Sequence, residues 1–150
     1  MKWIMLVLTC FLMQVVADEG VVLKLEDSAG KVDFRHSRLI ALYNKKSVGV
    51  SPFLKAGKFK ASFSGFLNLQ ERSRVYFKFS GSGKATLKIN GEVVVEASGK
   101  DLSVNVSERL RLNPGEHPIE VSYESTDGAA QVRLLWMGRA FPWEPIGPEY

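Results

Sequence analysis

From Lys58 onward, apolar and polar residues alternate in short runs separated by turn residues. In RVYFKFS (74–80), Val75, Phe77 and Phe79 fall on one face and Tyr76, Lys78 and Ser80 on the other, the period of a half-buried strand. KATLKI (84–89) repeats the pattern with Ala85, Leu87 and Ile89, and EVVVEA (92–97) follows it across Asn90-Gly91. That dipeptide is a strong hairpin signal, because both central residues of the tight turn take positive φ. Farther on, RLRL (109–112) runs into the turn Asn113-Pro114-Gly115. HPIEVSYES (117–125) then aligns Ile119, Val121 and Tyr123. After the turn Thr126-Asp127-Gly128, AAQVRLLWMG (129–138) keeps Val132, Leu134 and Trp136 in phase. Upstream, GKFKASFSGFLNL (57–69) alternates Phe59, Ala61 and Phe63 until Gly65 interrupts it. No stretch sustains a helical period, so the pattern predicts an all-β fold, an antiparallel β-sandwich or barrel.

Three segments are less regular. Gly81-Ser82-Gly83-Lys84, between the first two strands, reads as a tight turn rather than a phosphate-cradling loop. Such a loop needs a Gly five residues before the final Gly and a Ser or Thr after the Lys, whereas Lys78 and Ala85 stand there and a strand follows. Between Val21 and Pro52, VVLKLED predicts a strand covering a sheet edge, and RLIALYN fits either a strand or one turn of helix. The tail FPWEPIGPEY, with three prolines, is expected to hold no regular element.

The N-terminus changes the picture of where the chain works. Lys2 is followed by the apolar run WIMLVLTCFLMQVV and by Val15 and Ala17, the small residues of a signal-peptidase site, so residues 1–17 read as a secretory signal peptide. Cleavage after Ala17 leaves 133 of the 150 residues, a single domain over 18–150, with no membrane span. The remainder has no cysteine, since Cys10 is the only one, so disulfides and thiolate metal sites are excluded there. Loss of Lys2 lowers the formal charge from +4 to +3, dispersed without long runs, which gives nucleic-acid binding little support.

Catalytic chemistry finds no constellation. His117 lies beside a turn, and His36 in the polar stretch DFRHSR, with no nucleophile elbow around the adjacent Ser37. Glu120 and Glu124 lie on one strand face about 13 Å apart, beyond the usual carboxylate pair of a glycosidase. Asn105-Val106-Ser107 has the form of an N-glycosylation acceptor. Trp143, in the Pro-rich tail, either pins the tail or offers a stacking platform for a sugar ring.

KFKASFSGFLNL, RVYFKFSGSGKATLKINGEVVVE, RLRLNPGEHPIEVSYES and AAQVRLLWMG together resemble the successive blocks of the anthrax-protective-antigen-like domain, the PA-fourteen family, over about residues 58–148. The closing FPWEPIGPEY resembles the variety found in exported bacterial multidomain proteins, some of which continue into haem-binding modules. The resemblance implies a β-barrel or sandwich of the protective-antigen-like type and, as in many members, carbohydrate binding. Sugar-binding members carry an Asp-Asp-Gly whose carboxylates hold a calcium. The corresponding positions here are about Ser82, Gly83 and Lys84, which supply no carboxylate for a cation that takes six to eight oxygens.

If the strands run up and down, the loops at 81–84, 98–101 and 126–128 share one end and present Ser82, Lys84, Lys100, Asp101 and Asp127. With Trp143, these are the candidate ligand-binding residues. The expected function is a non-catalytic, exported module, periplasmic, cell-surface or extracellular, that binds a glycan or envelope polysaccharide with no metal or cofactor. The alternative is a protein-interaction module that assembles a periplasmic or surface complex.

Overall fold

In the computed structural model, which describes residues 20–150, the alternating stretches are strands and their apolar faces make one core. The expected signal peptide, with Lys2, Cys10 and the Ala17–Asp18 bond, lies outside the described residues. The strands are β1 (Val21–Asp27), β2 (Val32–Ser37), β3 (Ala41–Asn44), β4 (Phe59–Leu69), β5 (Ser73–Ile89), β6 (Glu92–Gly99), β7 (Leu110–Leu112), β8 (Gly115–Glu124), β9 (Ala130–Gly138) and β10 (Glu144–Pro145). Among the described residues the only helical element is a 3-10 turn, Leu102–Val104.

All pairings between these strands are antiparallel and join into one curled ten-stranded sheet, whose two parts, the first and second sheets, meet along β5. The first sheet runs β2, β1, β4, β8, the C-terminal part of β5, then β6. The second runs β7, the N-terminal part of β5, then β9, with β3 and β10 sharing the far side of β9. Inward residues of both sheets interdigitate, among them Phe63, Leu67, Leu87 and Val121 from the first and Phe77, Phe79, Leu134 and Trp136 from the second, each no more than 2% exposed. Burying one such side chain contributes about 1.5–3 kcal/mol, so alternation along these strands drives the closure of the sandwich.

The expected all-β architecture is found, and four local expectations are corrected. The segment Gly81–Lys84 is not a hairpin turn: it lies inside β5, which continues from the second sheet to the first. Gly65 does not interrupt β4. The alternation continues to Leu67 and Leu69, and the missing side chain makes room for Val21, whose Cγ1 would lie 2.8 Å from an added Cβ. VVLKLED does not cover an edge; as β1 it lies between β4 and β2. The tail does hold a short regular element, because Glu144–Pro145 pairs with Trp136 and Leu135.

Asn90-Gly91 makes the expected hairpin between β5 and β6, with φ of 54° and 81°. The ambiguous RLIALYN resolves as a strand, since Ala41–Asn44 pairs with β9. The tail is held by packing: the rings of Phe141 and Tyr150 lie 5.0 and 4.9 Å from that of the buried Trp136.

Candidate functional site

The geometry of one end of the sandwich follows from how β5 changes sheets. Ser82 pairs with Gln131 of β9, and two residues later Lys84 pairs with Glu124 of β8 and Ser98 of β6. The chain must bend sharply there while three neighbours crowd it. Gly81 and Gly83 permit this with φ of 112° and 119°, values that side-chain-bearing residues rarely adopt. A Cβ at Gly81 would run into the Gln131 carbonyl, and one at Gly83 would lie 2.7 Å from the Tyr123 ring and hydroxyl. The buried Tyr123 fastens the crossing by donating to the Ser82 carbonyl at 2.8 Å. Burial pushes its phenol above the usual range, against the opposing pull of a hydrogen bond from the Gln131 backbone N–H.

The loops beside this crossing are tied together. Asn44 donates to the Val48 and Gly128 carbonyls at 2.9 and 2.8 Å, fastening the segment after β3 to the turn after β8. Ser125 is buried: its hydroxyl accepts from the Phe59 N–H at 2.9 Å, and its own N–H donates to the Phe59 carbonyl. Asp27, 5% exposed, accepts from the backbone N–H groups of Ala29, Lys31 and Lys55, which holds its carboxyl below the usual range, led by the Lys55 bond.

Each expected site residue has a definite place. The Ser82 carbonyl is engaged by Tyr123. Lys84 is exposed, 3.9 Å from Glu96. Lys100 is exposed just after β6, adjoining the crossing through the Gly83–Gly99 pair. Asp101 starts the 3-10 turn, accepting from the Ser103 hydroxyl and N–H at 2.6 and 2.9 Å; these bonds, the hydroxyl's first, hold its carboxyl below the usual range. Asp127 accepts from the Ala129 N–H at 3.1 Å and pairs with Lys46 at 3.3 Å, which lowers its carboxyl likewise. It lies in the turn after β8, the strand whose Tyr123 meets the crossing at Ser82. Ser82, Lys84 and Lys100 thus adjoin the crossing and Asp127 lies in the turn after β8, whereas Asp101 is held in its own 3-10 turn within reach of Lys78's charge.

Trp143 is separate. It lies half-buried with the Lys78 ammonium 4.3 Å from its ring centroid, on the outward side of β5 in the second sheet. Tyr43 and Lys46 were missed by the sequence reading. Both come from the segment around β3: Tyr43 pairs with Gln131, which itself pairs with Ser82, and Lys46 reaches Asp127. ALYN does not alternate, so the sequence held no signal that singled them out.

Ordinary polar chemistry is what this end offers: ammonium and hydroxyl donors, carboxylate acceptors and no assembled nucleophile and base. Among the described residues no cluster of three or more His, Cys, Asp or Glu is placed to hold a metal ion. The acceptor-like Asn105-Val106-Ser107 is absorbed into structure. Ser107 is 7% exposed and accepts from the Phe77 N–H at 2.9 Å, while Asn105 donates to the Glu96 carbonyl at 3.0 Å.

Comparison with known proteins places this geometry. A solved anti-sigma factor domain-containing protein from Clostridium clariflavum superposes with a TM-score of 0.75 at 13% identity, covering 87% of this chain and 45% of that one. The present chain therefore spans under half of that protein. The PA14 domain of the antifreeze protein MpAFP gives a TM-score of 0.71 at 11% identity, covering 87% and 88% of the two chains. A PA14 sugar-binding domain from an RTX adhesin gives 0.60 at 15% identity, covering 87% and 96%. Among curated proteins, none matches the sequence. The family model described as PA14 domain matches residues 36–143, most of the chain, and by that match this protein belongs to the PA14 domain family.

Proposed function

We propose that the protein is a non-catalytic, exported module that binds glycans without calcium, using the end of the sandwich where β5 changes sheets. The observation that carries this reading is the exposure of Lys84 and Lys100 beside the strand crossing of a PA14 fold, to which the reading adds Ser82, Asp101 and Asp127. A sugar-binding domain is among the solved structures similar to it. Positions 82–84, where sugar-binding members would carry their carboxylates, are committed here to the strand crossing, so sugar hydroxyls would meet ammonium groups and the separate carboxylates of Asp101 and Asp127 directly. Rigid support favours such a use, since loops fixed to a β scaffold lose little entropy on binding.

The test is a glycan array followed by titration of the best ligand with calcium and with chelator. Lys84→Ala with Asp127→Ala is expected to weaken binding at least tenfold while changing stability by no more than about 0.5 kcal/mol per site. Gly91→Ala, at the far hairpin, should lower stability by about 1 kcal/mol and leave affinity alone. Normal binding by the Lys84/Asp127 double variant would move the site elsewhere. A second reading, an assembly module, draws on the similarity to the anti-sigma factor domain-containing protein and on Phe34 and Phe66, 64% and 59% exposed on the outer face of the first sheet. It takes over if no glycan binds.

A further inference from the structure

The outer faces of the two sheets differ in how their charges are arranged. Across the first sheet the register sets Glu26, Lys60, Glu124 and Lys84 side by side in alternating sign, and sets Lys88 against Glu120. That face neutralises itself. Across the second sheet the outward positions are Arg74, Tyr76, Lys78 and Ser80 on β5, Arg111 on β7, Gln131, Arg133, Leu135 and Met137 on β9, Ala41 and Tyr43 on β3, and Pro145 on β10. No Asp or Glu occupies any of them. Arg74 and Arg111 are direct cross-strand partners, a like-charge arrangement that works against folding. Among the described residues no carboxylate lies within ion-pair distance of Arg74, Lys78, Arg111 or Arg133. Asp101 stands close enough to feel Lys78, and Asp127 is taken up by Lys46.

The same face carries aromatic rings and neutral donors. Tyr43 is 71% exposed, Tyr76 is half-buried, and Trp143 lies under Lys78. Between them, Ala41, Tyr43, Ser80, Gln131 and Arg133 line a shallow depression of about 410 Å³. From Arg74 to Ser80 the strip is about 20 Å long at the usual strand rise, long enough for a short extended oligosaccharide.

We propose that the outer face of the second sheet binds an acidic polysaccharide, with Arg74, Arg111, Lys78 and Arg133 meeting its carboxylates or sulfates and Tyr43 stacking on a sugar ring. This rests on the glycan-binding reading and adds the ligand class and a surface separate from Lys84 and Asp127. Guanidinium groups suit such a ligand because their paired N–H donors match the oxygens of an oxyanion, and they are more weakly hydrated than ammonium groups. The uncompensated arginine pair finds a physical reason in a polyanion laid along it. Ser80 and Gln131 supply hydrogen bonds for ring hydroxyls, which a bare charge patch would not need.

The experiment titrates the protein with polygalacturonate, dextran sulfate, neutral dextran and a single-stranded oligonucleotide, between 50 and 500 mM NaCl. At the lowest salt at least one acidic polysaccharide is expected to bind ten times or more tighter than dextran, and to weaken steeply as salt screens the face. Arg74→Gln with Arg111→Gln, and separately Arg133→Gln, should each lose at least tenfold for that polymer. Arg133→Lys should recover part of the loss, and Lys60→Gln, on the outer face of the first sheet, should bind it normally. Tyr43→Ala should lower affinity without reducing the salt dependence.

Acidic polymers binding no better than dextran would overturn the inference, as would arginine variants with full affinity. Equal or tighter binding of the oligonucleotide would also overturn it, by making the face a general polyanion surface. The two proposals fail separately: neutral glycans bound through Lys84 and Asp127 with no acidic preference leave the proposed function standing and remove this inference, whereas acidic polymers bound through the arginines, together with no glycan whose affinity falls on Lys84→Ala with Asp127→Ala, keep this inference and remove the site at the β5 crossing. Absence of any glycan binding removes both.

Discussion

A single glycine at position 83 shows how residue chemistry sets the architecture. Its φ of 119° and the 2.7 Å separation of an added Cβ from Tyr123 leave no room for a side chain. Gly83→Ala is expected to destabilise the protein by about 2–4 kcal/mol, read from urea unfolding, because strain and steric overlap coincide at a buried position. A loss under about 0.5 kcal/mol would show that the crossing relaxes freely. Asp27 gives a second residue-scale outcome. Its carboxyl titrates below the usual range because three backbone N–H groups donate to the ionised form. The stabilisation is therefore present above the unfolded value of about 4 and is lost as pH falls through the lower folded value. Melting temperature should drop on acidification below about pH 4, and Asp27→Asn should lower it at neutral pH while flattening that acid limb. An unchanged acid limb in the variant would assign it to other carboxylates.

Strands here are finished by side chains as well as by one another. Ser125 and Ser107 act alike, each taking the N–H of a core phenylalanine on its hydroxyl and giving its own N–H to that residue's carbonyl. They extend pairing at Phe59 and Phe77 where no strand is available. Ser107→Ala should cost about 1–3 kcal/mol, the usual penalty for stranding a buried backbone donor, measurable by thermal or urea unfolding. Ser107→Thr, which keeps the hydroxyl, should recover part of it. Wild-type stability in Ser107→Ala would mean that water reaches Phe77. In β4, by contrast, Gly65 keeps the strand regular because Val21 fills the space its side chain would need.

For the molecule as a whole, the two layers present unlike outer faces, one with compensated charge and one basic. Calcium offers a whole-molecule check on the proposed mode of binding. A ligand at about one hundred times its dissociation constant adds about 2.7 kcal/mol to the native state and raises the midpoint of a domain this size by several degrees. Melting in excess calcium and in chelator is expected to coincide. A calcium-dependent rise of several degrees would mean that carboxylates from separate loops meet around an ion.

Alternation made the strands from Phe59 to Gly138 legible, along with their buried faces, because a period of two is a local property of extended chain. The Asn90-Gly91 hairpin was legible for the same reason: its positive φ values are a property of two adjacent residues. What the sequence left open was non-local. Gly81 and Gly83 suit a turn and a sheet crossing equally, since both need positive φ. Only the approach of Tyr123 and Gln131 decided that β5 runs through. RLIALYN became a strand because β9 had a free edge to pair with, and the prolines of the tail did not prevent two residues from pairing beside it. The charges were visible one by one, but their neighbours were not. Strand order placed Glu124 between Lys60 and Lys84, and set Arg74 against Arg111, because cross-strand partners are chosen by packing of the whole core rather than by distance along the chain.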